Sequence, residues 1–441
     1  MLFCGHTTSG NIAIEQASHR RNMSEARHFL FLQGPISPFF PLLSKKLEAE
    51  GHKIFKINLN LGDQLHWKCA NTTNYRGPLW RWDSWIEQFY RENRITDILL
   101  LGEKRDYHQS AIKIARRQNI QVVVTDFGYL RPDWITFELN GMSAESLFPR
   151  DPEEIMALAD RCDARDMQKV YEDSFFNQAF WDVLYHFTAI LGWVFFPGYD
   201  NFRRHNPVQD YFGILVRLLR RRWVEPQAKE FVDWISKSDI PYFVYPLQLQ
   251  HDYSIQAYSP YDGNEQPMED ILRSFSRAAP KDTHLVVKIH PLDPSPFKWK
   301  HLVLSSAKRL GIKDRVHFLD GGNLHKLLYP AQGMVTINST TAIATLQEGI
   351  ATKILGSAMY DIEGLVSKQT LDEFWNDPEH PDVILRDAFI KALAGSIQLK
   401  GTYYRQPGLD NAVEEAAHRL LKNRINQPLG NLASGNSVSE L

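Results

Sequence analysis

The chain has 441 residues and a mass of 51.0 kDa, which at about 150 residues per domain predicts two or three domains. Hydrophobic residues make up 43% of it and charged residues 23%, a balance that excludes wholesale disorder, collagen-like sequence and coiled coil. The 50 basic and 52 acidic residues leave a net charge of −2, so the charge of the whole chain does not favour nucleic-acid binding. Any anion site must therefore be local.

Cysteine content and apolar runs indicate the compartment. The three cysteines, Cys4, Cys69 and Cys162, are scattered, which fits neither a disulfide framework nor a zinc motif and favours a reducing compartment. The N-terminus has no long apolar segment of the signal-peptide kind. The longest apolar run, residues 187–197, is about half of the ~20 residues that a membrane-spanning helix needs. We expect a cytoplasmic location, with attachment to a membrane surface left open.

Residues 1–27 are polar and mixed and are predicted to form a flexible leader. From His28 the sequence alternates short apolar runs with segments of helical spacing. Strands are predicted at 28–32, 54–57, 96–102 and 120–125, and helices at 39–50, 85–91 and 107–118. This alternation predicts a parallel α/β sheet, a Rossmann-like domain over residues 28–150, with functional loops at the carboxyl ends of its strands.

The rest of the chain divides by pattern. Residues 151–235 are rich in Trp, Phe and Arg with little strand pattern, and are predicted to be a helical insert. A second alternation over 236–381 predicts another Rossmann-like domain, 382–425 are predicted to be helical, and 426–441 a disordered tail. Two such domains joined by helices indicate a two-domain enzyme with an interdomain cleft.

Two motifs in the second domain predict a phosphate site. KIHPLDP (Lys288–Pro294) follows a strand, and its Lys and His can both donate to phosphate oxygens. NSTTAIATLQEG (Asn338–Gly349) follows another strand and begins a helix with Ser339, Thr340 and Thr341, where free backbone N–H groups favour anions. The structural alternatives are an incidental His in a turn and an ordinary helix N-cap.

Two further motifs carry candidate cleft residues. PLQLQHD (Pro246–Asp252) places Gln248, Gln250 and Asp252 at alternate positions after an apolar strand, which suits a cleft floor or the solvated face of an edge strand. TDFGYLRPDWITFE (Thr125–Glu138) places Asp126 at a strand end, where a carboxylate can act as base or nucleophile, or can belong to a structural turn.

Other segments narrow the function. QGPISPFF (Gln33–Phe40) follows the first strand but lacks the glycine spacing of dinucleotide-binding folds and of P-loops. Residues 203–223 contain six arginines and Trp223, accompanied by leucines at helical spacing. The arginines are Arg203, Arg204, Arg217, Arg220, Arg221 and Arg222. Such a helix can lie on an anionic membrane surface or present a solvated basic face while its other side packs on the core.

Taken together, these motifs resemble the capsule polysaccharide synthesis family, specifically its KpsS/LipB-like β-Kdo glycosyltransferases. The resemblance covers residues 28–400 and is carried by the order of FLQGP, GEKRDYH, DFGYLRPDWITFE, PLQLQHD, KIHPLD and INSTTAIATLQEG. It implies a GT-B-like fold, a CMP-Kdo donor bound by the second domain, and a lysophosphatidylglycerol acceptor bound by the first. It also implies a β-linked Kdo product formed with retention, by a cytoplasmic enzyme that works at the inner membrane and starts the capsule linker.

The resemblance also implies roles for individual residues. His290 and Pro291 would contact the CMP phosphate, Ser339, Thr340 and Thr341 would complete that site, and Lys288 would meet the phosphate or the Kdo carboxylate. Asp126 matches the first acid of an acidic–acidic–Gly–aromatic element whose second acid is here Phe127, so Asp252 and Glu138 are alternative catalytic carboxylates. The remaining donor-site candidates are Gln248 and Gln250, and the other cleft candidates are Gln33, Gly34, Arg131, Asp106 and His108.

No cofactor or metal is expected, since no carboxylate pair is spaced to hold a nucleotide-bound Mg²⁺. The expected partners are a nucleotide-sugar donor, a lipid acceptor at the cytoplasmic membrane surface and other capsule synthesis and export proteins. Two alternatives remain: another nucleotide-sugar glycosyltransferase or epimerase of the same fold, and a non-catalytic capsule assembly or export protein.

Overall fold

The structure, a computed structural model, describes residues 26–67, 69–199, 207–249, 253–293 and 295–429. The predicted leader up to residue 25 and the tail from residue 430 lie outside this range. Within the described ranges, no helix is long and apolar enough to cross a membrane.

The first domain is built on a seven-stranded sheet of order β12-β6-β5-β4-β1-β2-β3. Its strands are β1 (His28–Phe31), β2 (Lys53–Asn58), β3 (Asn71–Asn74), β4 (Asp97–Leu101), β5 (Gln121–Phe127), β6 (Trp134–Leu139) and β12 (Gln398–Lys400). The first five pair in parallel, whereas β6 runs antiparallel to β5 and β12 antiparallel to β6. The four predicted strands are confirmed, and β3, β6 and β12 are additional.

The second domain carries a five-stranded sheet of order β11-β10-β7-β8-β9, in which all pairs are parallel. Its strands are β7 (Tyr242–Pro246), β8 (His284–Lys288), β9 (Val316–Leu319), β10 (Gly333–Thr336) and β11 (Thr352–Ile354). The burial of β7 is complete along its length, as expected for a central parallel strand covered on both faces. The predicted two-domain α/β architecture is confirmed.

Helices cover both sheets and connect them. In chain order they are α1 (Phe39–Ala49), α2 (Trp82–Glu92), α3 (Asp106–Arg117), α4 (Pro152–Asp160), α5 (Phe175–Leu191), α6 (Pro207–Ile235), α7 (Tyr253–Tyr258), α8 (Glu265–Ala278), α9 (Pro296–Arg309), α10 (Leu324–Leu328), α11 (Thr341–Gln347), α12 (Leu371–Phe374), α13 (Val383–Ser396) and α14 (Gly408–Leu421). A short 3-10 helix, Gly192–Phe195, continues α5.

The C-terminal segment returns to the first domain. Strand β12 extends the first sheet, and Arg419 of α14, which has no exposed surface, donates to the carbonyl of Gln398 at 2.6 Å and to Glu415 at 2.6 Å. The first residues of the predicted tail are also held, since Asn426 accepts from the Leu139 amide at 2.9 Å and the Leu429 amide donates to Gly395 at 2.9 Å. The prediction that disorder begins at residue 426 is therefore wrong for residues 426–429.

The two sheets meet through the loops at their carboxyl edges. Glu103, just after β4, accepts a hydrogen bond of 2.8 Å from the hydroxyl of Tyr258, at the end of α7. The Lys104 ammonium lies 4.6 Å from the centroid of the same tyrosine ring. Two Rossmann-like domains whose strand ends face each other form the GT-B-like architecture that was predicted, with the candidate site between the two edges.

Candidate functional site

Three neighbouring strands bring the predicted donor residues to one edge. Because β8, β7 and β10 are adjacent and parallel, the residues that follow them lie side by side at the carboxyl edge of the sheet. These residues are His290 after β8, Gln248 after β7 and Ser339 after β10. Neighbouring strands are about 4.8 Å apart, so the β8 and β10 loops are separated by roughly 10 Å, a span that suits a nucleotide phosphate.

His290 is half-buried in the loop after β8. Its Nδ1 accepts the Leu292 backbone N–H at 3.1 Å, which in the neutral imidazole leaves the hydrogen on Nε2. A histidine held in this tautomer can donate from Nε2 to an anionic oxygen. The adjacent Pro291 is exposed at the rim of the loop.

Arg217 of α6 fixes this loop through its backbone carbonyl oxygens. Its guanidinium donates to the carbonyl oxygens of His290 at 2.6 Å and Asp293 at 2.7 Å, and pairs with Asp320 at 2.5 Å. The prediction that Arg217 belongs to a solvated or membrane-facing basic surface is therefore wrong, since its side chain is 12% exposed. Arg203 and Arg204 lie outside the described residues.

Lys288 lies beneath the site. Its side chain is buried and its ammonium donates to the Gly321 carbonyl at 2.5 Å. Burial lowers the pKa of this lysine to about 8, against the opposing effect of the Glu225 carboxylate. The expectation that Lys288 contacts the donor is corrected: the structure commits it to the loop that follows β9.

The hydroxyl cluster lies at the start of α11. Ser339 is half-buried, and its Oγ accepts the Thr341 backbone N–H at 3.2 Å and donates to Thr341 Oγ1 at 3.1 Å. Thr340 is exposed and its side chain does not cap the helix. Ser339 thus takes part of the capping role, while Thr340 is exposed at the same edge.

Gln248 has a structural role at this edge. Its side chain is buried, with Nε2 donating to Asn338 Oδ1 at 3.0 Å and Oε1 accepting the Asn338 N–H at 3.1 Å. Both ends of the amide therefore join the loops after β7 and β10, which corrects the expectation that Gln248 binds the donor. Gln250 and Asp252 lie outside the described residues.

Asp126 is half-buried at the carboxyl end of β5. Its Oδ1 accepts the Phe127 backbone N–H at 2.7 Å, and a Cβ added to Gly102, after β4, would lie 3.9 Å from its Oδ2. The Phe127 ring that replaces the second acid packs edge-on against Tyr403 at 5.5 Å between centroids. Arg131 is exposed, with its guanidinium 5.5 Å from the Phe127 ring centroid.

Glu138 is a core residue. It has no exposed surface and accepts a hydrogen bond from the Ser146 hydroxyl. It also lies four residues along β6 from the edge residue Trp134, which is roughly 13 Å of strand. Burial raises its pKa to about 8. The prediction that Glu138 is an alternative catalytic carboxylate in the cleft is therefore corrected.

His108 also lies below the cleft. It is fully buried on α3, with Nδ1 2.8 Å from the Gly102 carbonyl oxygen, and burial lowers its pKa to about 3. It is therefore a neutral side chain that supports the loop after β4, not a cleft residue. Asp106 is half-buried and forms the first residue of the same helix.

Besides Asp106 and His108, the motif GEKRDYH contains Glu103, a cleft residue that the sequence analysis did not identify. Glu103 is buried and burial raises its pKa. It makes the contact with Tyr258 described above, so the acid of this motif nearest the strand end connects the two domains. Its position directly after β4 was the available signal.

A small cavity lies at the ends of β1 and β2. The buried amide of Gln33 donates to the hydroxyl of Tyr185 at 2.8 Å and to Asp63 at 3.2 Å. The cavity has a volume of about 40 Å³, room for about one or two waters. Gly34 lines it, and a Cβ there would lie 2.2 Å from the Phe40 ring, so only glycine fits. Lys56 lies beneath, where burial lowers its pKa to about 8.

Among the described residues, no group of three or more His, Cys, Asp or Glu side chains is placed to hold a metal ion.

Comparison with known proteins places this chain in a family. The profile of a family described as capsule polysaccharide biosynthesis protein matches residues 96–404. The capsule polysaccharide export protein KpsS of Escherichia coli is 29% identical over 383 residues, covering 86% of this chain and 97% of its own. The capsule polysaccharide modification protein LipB of Neisseria meningitidis serogroup B is 26% identical over 390 residues, covering 87% and 93%.

Among solved structures, the β-Kdo 2,7 transferase KpsC of Thermosulfurimonas dismutans is similar with a TM-score of 0.44 at 14% identity, over 90% of this chain and 99% of that one. The family profile matches more than half of the chain and spans both sheets. The chain therefore belongs to the capsule polysaccharide biosynthesis protein family.

Proposed function

We propose that this protein is a retaining β-Kdo glycosyltransferase, which transfers Kdo from CMP-Kdo to a lysophosphatidylglycerol-type lipid and so starts the linker of a capsular polysaccharide. One observation carries the proposal. His290 and the Ser339–Thr341 hydroxyls lie on one strand edge, opposite a domain edge that carries Asp126. Membership of a capsule family supports the biological setting.

The donor side of this proposal rests on charge. When the bond between the Kdo anomeric carbon and the phosphate oxygen breaks, negative charge develops on the CMP phosphate. Donors positioned before the reaction stabilise such charge most effectively. The Nε2–H of His290 and the hydroxyl of Thr340 are the donors proposed for this phosphate, and Arg217 keeps the histidine loop in place.

The acceptor side rests on the edge of the first sheet. Asp126 is the proposed carboxylate, acting either as nucleophile or as the base that takes the proton of the acceptor hydroxyl. Both routes are compatible with retention: double displacement through a carboxylate, or front-face attack beside the leaving phosphate. Arg131 is the proposed partner of the Kdo carboxylate. In this proposal the reaction takes place at the cytoplasmic face of the membrane, beside other capsule synthesis and export proteins.

The donor assay tests this function directly. Purified protein is incubated with CMP-Kdo and lysophosphatidylglycerol, and CMP release and the mass of the lipid product are measured. We expect release of CMP together with a lipid heavier by one Kdo. A folded protein that yields neither would refute the proposal. Thermal shifts with CMP, UDP and GDP are measured in parallel, because the preferred nucleotide stabilises the protein by mass action; a preference for UDP would favour another nucleotide-sugar enzyme.

His290 provides the residue-level test. We expect His290→Ala to lower turnover by about 10²–10³-fold, since it removes one donor aimed at the leaving phosphate. The control is His301→Ala, an exposed histidine on α9, which should leave turnover unchanged. Circular dichroism checks that both variants are folded. Turnover of His290→Ala within about twofold of the unaltered protein would contradict the role assigned to the histidine.

A further inference from the structure

Helix α5 carries an apolar stripe on its solvent side. Its exposed large side chains follow one another at intervals of three or four residues, which places them on one face of the helix. They are Phe176, Phe180, Val183, Phe187 and Leu191, and the 3-10 helix continues them with Trp193, Val194 and Phe195. The exposed fraction is 84% for Phe176 and 63% for Trp193. We call these eight residues the α5 stripe.

The opposite face of the same helix is anchored in the first domain. The Tyr185 hydroxyl donates to Asp63 at 2.8 Å and accepts from Asn60 at 2.8 Å. At the end of the helix, a Cβ added to Gly192 would lie 2.3 Å from Leu61, so the 3-10 helix packs directly on the protein. The α5 stripe is therefore the outward face of a helix fixed on its other side, and not the exposed interior of a loose segment.

The stripe itself carries no charged side chain. Within residues 175–195 the titratable side chains are Asp182, Tyr185 and His186; Asp182 and His186 lie 3.7 Å apart and off the stripe, and Tyr185 contacts the first domain. A Cβ added to Gly198 would lie 2.2 Å from the Gly77 carbonyl oxygen, so the loop at 76–81 adjoins the end of the stripe.

That loop has the composition of a membrane interface. Trp80 is 75% exposed and the Arg81 guanidinium lies 4.6 Å from its ring centroid, while Arg76 is exposed nearby in sequence. Tryptophan is enriched at the headgroup level of bilayers, and arginine beside it can meet lipid phosphates. The stripe and this loop therefore combine an apolar face with an aromatic and cationic border.

We propose that the α5 stripe docks the protein on an anionic lipid bilayer, with α5 lying in the plane of the interface and its phenylalanines inserted at the boundary between headgroups and acyl chains. A bilayer fits better than a protein because the indole N–H of Trp193 is the sole hydrogen-bonding side-chain group among the eight residues of the stripe, whereas protein interfaces carry about one hydrogen bond per 100–200 Å². The 17 residues of α5 span about 25 Å, which suits an interfacial helix.

This inference rests on the proposed function for its purpose and deepens it by naming how a lipid acceptor reaches the site. Tyr185, on the inner face of α5, hydrogen-bonds Gln33 at the carboxyl end of β1. Docking through the outer face would therefore place the bilayer one helix diameter, about 10 Å, from the candidate acceptor edge.

Vesicle co-sedimentation of the full chain tests the docking surface. The probes are vesicles of phosphatidylcholine alone and vesicles that also contain phosphatidylglycerol. We expect the unaltered protein to partition onto the anionic vesicles, and the double variant Phe180→Ser/Phe187→Ser to bind them at least tenfold more weakly. The matched control is Val383→Ser/Ile384→Ser, two exposed apolar residues on α13, which should bind like the unaltered protein. Equal binding by the stripe variant and the unaltered protein would overturn the proposal.

Two further measurements separate the alternatives. If light scattering shows that the unaltered protein self-associates through the stripe and does not bind vesicles, the stripe is a protein interface and the membrane proposal fails. Transfer to an acceptor dispersed in detergent should be the same for the stripe variant and the unaltered protein. If neither transfers Kdo while vesicle binding still depends on the stripe, the proposed reaction fails and the docking surface stands.

Discussion

Several ionisable side chains near the candidate site are buried, and their role is to support neighbouring loops and not to contact a substrate. Lys288, His108 and Glu138 are all buried, and each is held by hydrogen bonds to a neighbouring loop or side chain. Burial disfavours the charged form of each side chain, so it lowers the pKa values of Lys288 and His108 and raises that of Glu138. Their hydrogen bonds therefore support the region around the half-buried candidates His290 and Asp126.

Glu138 makes stability depend on pH. Its pKa rises from an ordinary value of 4.5 to about 8 in the folded protein, so the folded state holds this proton more tightly than the unfolded chain does. Its stabilising contribution is fully present below pH 4.5 and is lost as the pH rises through about 8, by up to about 1.4 kcal/mol per pH unit. We expect Glu138→Gln, which cannot ionise, to lose less stability than the unaltered protein between pH 6 and 9.

Urea unfolding at a series of pH values measures this difference. The control is Glu230→Gln, an exposed glutamate on α6, which should follow the unaltered protein. If the free energy of unfolding changed with pH in the same way for Glu138→Gln and the unaltered protein, the raised pKa assigned to Glu138 would be contradicted. The variant should also keep the proposed transferase activity, because Glu138 has no exposed surface.

At the scale of elements, α6 positions the loops that carry the proposed donor-binding residues. The helix passes close to the loop after β9, where a Cβ on Gly321 would lie 2.9 Å from Glu225 and where the φ of +105° also favours glycine. From this position Arg217 reaches the carbonyls of both His290 and Asp293. The helical insert is thus part of the site, although it contributes no residue proposed to touch the donor.

Arg217→Gln should therefore impair donor binding and stability together. The change leaves Asp320 and two carbonyls without their cation, a loss of about 1.5–3 kcal/mol for hydrogen bonds to a charged group. We expect the KM for CMP-Kdo to rise about tenfold and the urea midpoint to fall. Arg217→Lys should recover only part of the effect, since it keeps the charge but not the planar fork. Arg221→Gln, whose side chain is 70% exposed, is the control; an equal effect of both substitutions would argue against a specific clamp.

At the scale of the molecule, contacts between distant segments connect the two domains and attach the C-terminal segment to the first domain. Glu103 and Tyr258 join the two carboxyl edges, and α14 with β12 returns the C-terminus to the first sheet. The Lys400 ammonium pairs with buried Asp133 at 2.9 Å, so the C-terminal segment also supports the loop that carries Arg131. The cleft therefore depends on segments that are more than 250 residues apart.

Tyr258→Phe tests the connection between the domains. It removes the hydroxyl that donates to the buried Glu103 and leaves that carboxyl without this partner, so we expect a loss of about 0.5–1.5 kcal/mol in the free energy of unfolding. Thermal denaturation measures the change. The control is Tyr329→Phe. Tyr329 is 67% exposed, so the loss of its hydroxyl should leave the melting temperature unchanged. Equal melting temperatures for Tyr258→Phe and the unaltered protein would show that the hydrogen bond does not stabilise the domain arrangement.

The sequence by itself determined the alternation of strands and helices, the two-domain class and the family, because hydrophobic periodicity and motif order are local properties of the chain. It also identified the edge loops that contain His290, Ser339 and Asp126. It did not reveal β12, whose three residues become a strand only by pairing with β6. It predicted a helix throughout that region.

The tertiary structure decided which polar residues of each motif face the cleft. Lys288 and His290 lie two residues apart, yet one is committed to Gly321 and the other lies at the edge. The pattern around Arg217 predicts a basic surface, and only the packing of α6 against the loop after β8 shows that its side chain is buried. Side-chain direction and burial depend on contacts between distant segments, and local patterns contain no information about those contacts.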